Sequence, residues 1–146
     1  HRRRGGRVLQ AVATRMIALD SNVLVRLLVA DDPAQTQRAK AIVDRLDAED
    51  QRAYVSHVVL CEMVWVLARS YRLKRAELSA ALRRLVCSRQ LQFDSADEVL
   101  RALAAYETGK GDFADYLIRE HAKTAGCDTV MTFDADLLGD AMFTAP

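Results

Sequence analysis

The sequence has few of the residues that build disulfide frames, thiolate metal sites or flexible linkers. Its 146 residues include three cysteines, two prolines and six glycines, and aromatic residues make up only 6%. Cys61, Cys87 and Cys127 are odd in number, widely separated and form no CxxC pair. This pattern favours reduced thiols in a cytoplasmic protein over a disulfide framework or a zinc site.

Long hydrophobic runs and a glycine-rich phosphate loop are also missing. No apolar run approaches the roughly 18 residues that cross a bilayer, and Leu9–Val12 is too short for a secretory signal. We therefore predict no membrane association, and the missing loop argues against a nucleotide-binding enzyme. The length and the 51% hydrophobic content are typical of one globular domain with its own core.

Basic residues are concentrated at the start of the chain. Residues 1–15 contain five arginines and no acid, whereas residues 16–146 carry a net charge of −4 within a total of +1. The body is therefore not a generally basic surface for nucleic acid. Because residue 1 is His and Met16 precedes a predicted strand, we interpret 1–15 as an upstream or vector-derived extension without fixed structure. The alternative is a flexible basic arm that contacts nucleic-acid phosphates. Residues 16–146 are predicted to form a single domain.

Short apolar runs alternate with amphipathic segments through this domain. Strands are predicted at Met16–Leu19, Ala53–Val55, Leu91–Phe93 and Asp128–Thr132, with a last extended piece near Met142–Thr144. Helices are predicted at Asn22–Ala30, 33–48, Val58–Arg69, Lys74–Cys87, 96–107 and 112–124. The alternation predicts an α/β fold with a mostly parallel sheet of four or five strands and helices on both faces. Ligands of such sheets bind beyond the carboxyl ends of the strands.

Acidic residues follow two of the predicted strands. Asp20 comes directly after the first strand, and Asp134 and Asp136 follow the fourth strand. Each also has a structural interpretation, because Asp20 suits a helix N-cap and Asp136 suits a turn. Alone, neither position identifies a site.

Glu62 stands in apolar surroundings on a predicted helix. Its neighbours three and four positions away are all apolar: Val58, Val59, Trp65 and Val66. A carboxylate that emerges from such a surface needs a cation or lies in a cleft. Pairing with an arginine at the margin of the core is the structural alternative.

Asp112 and Asp115 are three residues apart at the start of a helix and therefore share a face. A capping pair at the helix N-terminus explains them without a site. Together with the acids at the strand ends, however, they predict a cluster of carboxylates at one edge of the sheet. Such a cluster repels itself unless a cation is bound. Oxygen ligands favour Mg²⁺ or Mn²⁺, the ions that serve phosphodiester hydrolysis.

These segments resemble a known family. The segment 16–25, which reads MIALDSNVLV, looks like the opening of a PIN domain, and Cys61-Glu62 falls where that family has a helix-borne glutamate. The segments 112–118 and 132–134 are similar to the third and fourth acidic motifs. The four occur in order over 16–146, and the likeness is greatest to VapC-type toxins of toxin–antitoxin systems.

The resemblance implies a three-layer α/β/α PIN fold and Mg²⁺-dependent endoribonuclease activity, with Mn²⁺ as a second candidate ion. By position, Asp20 and Asp115 are the metal ligands, and Glu62 and Asp134 complete an acidic quartet. The resemblance also implies a homodimer, tRNA or rRNA as substrate, and a cognate antitoxin whose tail enters the cleft. The complex with antitoxin would be a heterotetramer or larger.

Further residues receive supporting roles. Asp112 and Asp136 are accessory acids. Three polar residues would orient the carboxylates or a water molecule: Ser21, Asn22 and Thr132. Lys110, beside Asp112, is a candidate RNA contact.

Two surface features are candidate contacts for RNA or for a protein partner. Arg69 belongs to a basic cluster with Arg72, Lys74 and Arg75, which is either an RNA contact or a solvated helix end. The apolar faces around Trp65 and Leu82 are predicted to be core, and any excess would serve as a dimer or antitoxin surface.

Two other functions remain open. One is a phosphotransferase or phosphatase with Asp20 as nucleophile, although such enzymes usually want a second acid where this chain has Asn22. The other is a catalytically silent PIN-like module that binds RNA or protein, which the presence of all four acids disfavours.

Overall fold

The computed structural model describes residues 16–146, in which five short strands alternate with six helices. The strands are β1 (Ile17–Ala18), β2 (Ala53–Val55), β3 (Leu91–Phe93), β4 (Val130–Met131) and β5 (Phe143–Thr144). The helices are α1 (Ser21–Leu28), α2 (Pro33–Ala48), α3 (His57–Arg69), α4 (Arg75–Val86), α5 (Ala96–Thr108) and α6 (Phe113–Thr124). A 3₁₀ turn, Ala135–Leu137, lies between β4 and β5. The interpretation of 1–15 concerns residues outside this range.

All strand pairings in the described chain are parallel. β2 lies between β1 and β3, with Ile17 opposite Ala53 and Ala53 opposite Leu91. β4 pairs separately with β5, with Val130 opposite Phe143. The predicted α/β fold with parallel strands is therefore confirmed. The five strands hydrogen-bond as groups of three and two instead of one continuous ladder, and β1 and β4 are only two residues long.

One stripe of α3 faces the core. Its buried residues follow the i, i+3, i+4, i+7 spacing: Leu60, Met63, Val64 and Leu67. Leu82 of α4 is also fully buried, as predicted. The prediction that Trp65 is core is wrong, because Trp65 lies off the buried stripe of α3 and is 59% exposed.

A buried glutamate joins α5 to α6. Glu120 is fully buried on α6, and its carboxylate accepts from Arg101 of α5 and from Arg119 at 2.8 Å each. Arg119 also pairs with Asp140, just before β5, at 2.5 Å. Burial would raise the pKa of Glu120, but the arginine hydrogen bonds outweigh it and lower that pKa. This ion-pair group therefore fixes α6 against α5 and against the C-terminal segment.

The turn between α5 and α6 is fixed from two sides. The Arg75 guanidinium donates to the carbonyl oxygens of Tyr106 and Gly111 at 2.8 Å each and lies 4.3 Å from the centre of the Tyr106 ring. On the other side, the backbone N–H of Gly111 donates to the Tyr116 hydroxyl at 3.1 Å. Arg75 is therefore engaged inside the protein, which argues against the RNA-contact interpretation for this member of the basic cluster.

None of the helices within 16–146 combines the length and the hydropathy of a membrane-spanning segment.

We expect Glu120→Gln to lower the free energy of unfolding by about 1–3 kcal/mol, because hydrogen bonds to a buried charged group are lost. Glu107→Gln is the matched control, since Glu107 forms a solvent-exposed pair with Arg83, and such pairs contribute about 0–1 kcal/mol. Urea unfolding measures both variants.

Since folding lowers the pKa of Glu120, the contribution of Glu120 to the free energy of unfolding is present above the ordinary glutamate pKa of about 4.3. This contribution is lost as the pH falls through the lowered pKa of the folded state. Equal losses in the two variants at neutral pH would contradict the assignment.

We expect Gly109→Ala to destabilise the protein by about 1–3 kcal/mol, as is usual for overpacking. A Cβ atom there would lie 1.9 Å from the Tyr116 hydroxyl and 2.8 Å from the Ala105 carbonyl oxygen. Gly139→Ala is the control, because nothing lies within 4 Å of a Cβ at Gly139. Thermal unfolding of the two variants checks the prediction, and an unchanged midpoint for Gly109→Ala would show that the turn is not tightly packed.

Candidate metal centre

Asp20 caps helix α1 at the end of β1. Its backbone is extended, with φ −82° and ψ 163°, and its carboxylate accepts from the backbone N–H of Ser21 at 2.7 Å. The side chain is nevertheless exposed. One carboxylate can accept several bonds, so the structural role of Asp20 as a cap is compatible with its predicted role as a ligand.

Ser21 connects Asp20 to Glu62. Ser21 is buried, and its hydroxyl donates to Glu62 Oε1 across the contact between α1 and α3. This bond fits the predicted role of Ser21 in holding a carboxylate. Glu62 itself is exposed, as are its neighbours Val58 (75%) and Trp65 (59%). The apolar surroundings predicted for Glu62 are thus a solvent-facing surface on this side of α3.

Asp115 lies in the first turn of α6, and its Oδ2 accepts from the backbone N–H of Asp112 at 2.8 Å. Burial raises the pKa of the Asp115 carboxyl, and the negative charges of Asp112 and Asp134 raise it further, against the lowering effect of the Asp112 backbone bond. The capping interpretation of Asp112 and Asp115 is therefore correct. It is also incomplete, because Asp134 from a distant segment acts on the same carboxyl group.

Cys61 lies next to Glu62 on α3 and is within the electrostatic influence of Asp115. This half-buried thiol precedes Glu62 on α3, and α3 packs against α6. Burial raises the pKa of Cys61, and the charge of Asp115 raises it further. The charge of Asp115 therefore acts on the turn of α3 that carries Glu62. The Glu62 carboxylate in turn accepts a hydrogen bond from Ser21, the residue after Asp20.

Thr132, Asp134 and Asp136 form a local network after β4. The backbone N–H of Asp134 donates to the Thr132 hydroxyl, and the Asp134 carboxylate accepts from the backbone N–H of Asp136, at 3.0 Å each. Thr132 thus holds the Asp134 main chain and not its carboxylate. Asp136 contributes its backbone to orienting Asp134, and its own carboxylate is exposed.

The remaining predicted residues form no hydrogen bond with these acids among the described residues. Asn22 is exposed and lines a groove of about 420 Å³ between α1 and α2. Lys110 is exposed and lines a second groove of about 450 Å³ with Asp136 and Arg119. Arg69 lies two helical turns beyond Glu62, with its guanidinium 5.3 Å from the centre of the Trp65 ring.

The predicted acidic centre, defined as Asp20, Glu62, Asp115 and Asp134, has a donor set that suits a hard divalent cation, although no three of these carboxylates lie within 4.8 Å of one another among the described residues. All four donors are carboxylates, which Mg²⁺ and Mn²⁺ prefer. Burial and the negative charges of Asp112 and Asp134 raise the pKa of Asp115, so these two charges oppose its ionisation. The Cys61 thiol does not compete as a ligand, because its raised pKa keeps it protonated at neutral pH.

Sequence reasoning missed a second group of titratable residues, the histidine cluster, which consists of His57, Glu98 and His121. The two imidazoles contact the same Glu98 oxygen, and Glu98 is buried. His57 and Glu98 closely follow β2 and β3, which are neighbours in the sheet. The positions of His57 and Glu98 after neighbouring strands could therefore have predicted that these two residues are close. The position of His121 could not be predicted, because it depends on how α6 packs.

Comparisons with known proteins agree with this architecture. The family model of the PIN domain matches residues 17–139. A similar solved structure is Mycobacterium tuberculosis VapC20, a sarcin-ricin loop cleaving toxin, with 21% identity, a TM-score of 0.38, and coverage of 88% of this chain and 96% of that chain. No curated protein matches the chain at comparable significance. Since the family model covers most of the chain and includes all four carboxylates, the protein belongs to the PIN domain family.

Proposed function

We propose that this PIN domain is a Mg²⁺-dependent endoribonuclease and the toxin of a toxin–antitoxin pair. The observation that carries the proposal is the placement of acids from separate segments: Asp115 is partly buried at the start of α6, where the charge of Asp134 acts on it, and Glu62 accepts from Ser21, the residue after Asp20. Retaining such a group costs stability, and a bound divalent cation removes that cost. Membership of a family whose members are generally nucleases supports the same conclusion.

Asp20 and Asp115 hold the ion from two different elements, the end of β1 and the start of α6. The bond from Ser21 keeps the Glu62 carboxylate in one orientation, and the backbone of Asp136 does the same for Asp134. A bound Mg²⁺ would lower the pKa of water and neutralise charge on the scissile phosphate. Glu62 and Asp134 would orient the attacking water or accept its proton.

The exposed apolar side chains around the centre support the antitoxin part of the proposal. Val58 and Trp65 share the face of α3 that carries Glu62, and Phe133, which is 92% exposed, directly precedes Asp134. Met131 is 66% exposed nearby in sequence. Exposed apolar patches mark protein interaction sites, and we propose that an antitoxin segment covers these side chains and blocks access to the acids. Homodimerisation and a heterotetrameric or larger complex belong to the same proposal.

Lys110 is the proposed contact for the RNA backbone. It is exposed in the turn that precedes Asp112, so its ammonium group can reach a phosphate near the carboxylates. Mn²⁺ would substitute for Mg²⁺, and tRNA or rRNA in the cytoplasm is the proposed substrate class.

The function is tested with Asp115→Asn and the control Asp128→Asn, since Asp128 is an exposed aspartate outside the acidic centre. We expect Asp115→Asn to reduce Mg²⁺-dependent RNA cleavage at least about 100-fold, more than the loss of an outer partner of a metal site. Asp128→Asn should cleave at the wild-type rate, and EDTA should abolish cleavage by both active proteins. Gel assays with single-stranded RNA and DNA of the same sequence measure the rates.

Undiminished cleavage by an Asp20→Asn/Asp115→Asn double variant would refute the assignment of the site. A wild-type protein that binds RNA but never cleaves it would identify a silent binding module. Preferential cleavage of the DNA strand would retain the metal chemistry and overturn the ribonuclease proposal. A phosphorylated intermediate trapped on Asp20 would support the phosphotransferase alternative instead.

A further inference from the structure

The histidine cluster brings three ligand types together from three helices. His57 is the first residue of α3, Glu98 lies in the first turn of α5, and His121 lies in the last turn of α6. His57 Nε2 and His121 Nδ1 are each 2.8 Å from Glu98 Oε1. All three atoms lie within 4.8 Å of one another.

This spacing is close to that of a metal site. Around tetrahedral Zn²⁺ with bonds of about 2.0–2.1 Å, neighbouring ligand atoms are about 3.3 Å apart. Each imidazole would therefore move by roughly half an ångström relative to the carboxylate. His121 is exposed, with 67% of its side chain accessible, so it has room to move.

The charge of Glu98 calls for a cation. Glu98 is only 3% exposed, and its Oε1 atom contacts both imidazoles. In the described chain, its ion-pair partners are the two histidines, which carry positive charge only when protonated. Neutral histidines would leave a buried charge without a cation, which is unfavourable.

His57 provides a second observation. Its Nδ1 atom is buried and has no hydrogen-bond partner among the described residues, and it lies 3.8 Å from Asp94 Oδ2. If Nε2 carries the proton toward Glu98, the Nδ1 lone pair faces the Asp94 carboxylate. If Nε2 binds a metal ion, Nδ1 carries the proton, and the Asp94 carboxylate at 3.8 Å would accept it after a shift of less than about 1 Å. Metal-bound histidines typically donate their other ring N–H to a carboxylate in this way.

We infer that His57, Glu98 and His121 form a binding site for a divalent transition-metal ion of the Zn²⁺ class, separate from the acidic centre. Two imidazoles and one carboxylate form a known Zn²⁺ ligand set, whereas Mg²⁺ prefers oxygen alone. The exposure of His121 leaves a fourth position open to solvent. The bound ion links α3 and α6, the helices that also carry Glu62 and Asp115, and so stabilises their packing.

The test is calorimetric titration of Zn²⁺ into the full, metal-stripped chain in millimolar Mg²⁺. His121→Gln is the principal variant, since the residue is exposed and the change should not prevent folding. His1→Gln removes the third histidine of the sequence, and Asp115→Asn perturbs the acidic centre. The visible spectrum of bound Co²⁺ distinguishes imidazole and carboxylate ligands from cysteine thiolate.

We expect one Zn²⁺ per chain and a rise in the unfolding temperature with Zn²⁺ concentration. His121→Gln should weaken binding at least about 100-fold, more than the loss of an outer partner, whereas both controls should retain wild-type affinity. The inference is overturned if His121→Gln binds Zn²⁺ as tightly as wild type, if the wild-type chain binds none, or if the Co²⁺ spectrum is that of a thiolate site. None of these outcomes depends on RNA cleavage, so the proposed function is judged independently.

Discussion

The Asp115 carboxyl group is destabilised as an anion by burial and by neighbouring negative charge, and the backbone N–H of Asp112 relieves this only in part. It is partly buried at the start of α6, and Asp112 and Asp134 both oppose its ionisation. A fold without a functional reason for this arrangement would replace one of the acids with a neutral residue, because like charges in a partly buried site destabilise one another. A bound divalent cation, as proposed, would make the arrangement favourable, because the repulsion that costs stability would then provide affinity for the ion.

Several contacts of the fold fix the position of Asp115 despite the neighbouring negative charges. The N-terminus of α6 favours negative charge through its free N–H groups and helix dipole. The preceding turn is anchored by Arg75 and by the Tyr116 hydroxyl, and Glu120 fixes the other end of the helix to α5. Each anchor uses a charged or polar group inside the protein, so the positions of the acids depend on specific bonds as well as on apolar packing.

The parallel strands and the acids at their ends were predictable, because short apolar runs followed by Asp20 or Asp134 are local features of the sequence. The side of α3 that packs against the core could not be predicted. This helix has apolar residues on nearly every face, so the sequence alone could not reveal that Trp65 faces solvent. Glu120 and Glu98 were missed for a related reason: each resembles a solvated helix residue, and its burial depends on partners from other helices. Long-range ion pairs of this kind leave little trace in a single sequence.

The most direct test of the account is to locate a bound ion without reference to catalysis. Trace Mn²⁺ added to isotopically labelled, metal-free protein broadens the NMR signals of backbone amides close to the ion. The account predicts broadening centred on four separate segments, those that contain Asp20, Glu62, Asp115 and Asp134, and its reversal by excess Mg²⁺. Broadening that is absent, or that is confined to one of these segments, would contradict the claim that the four carboxylates form one cation site.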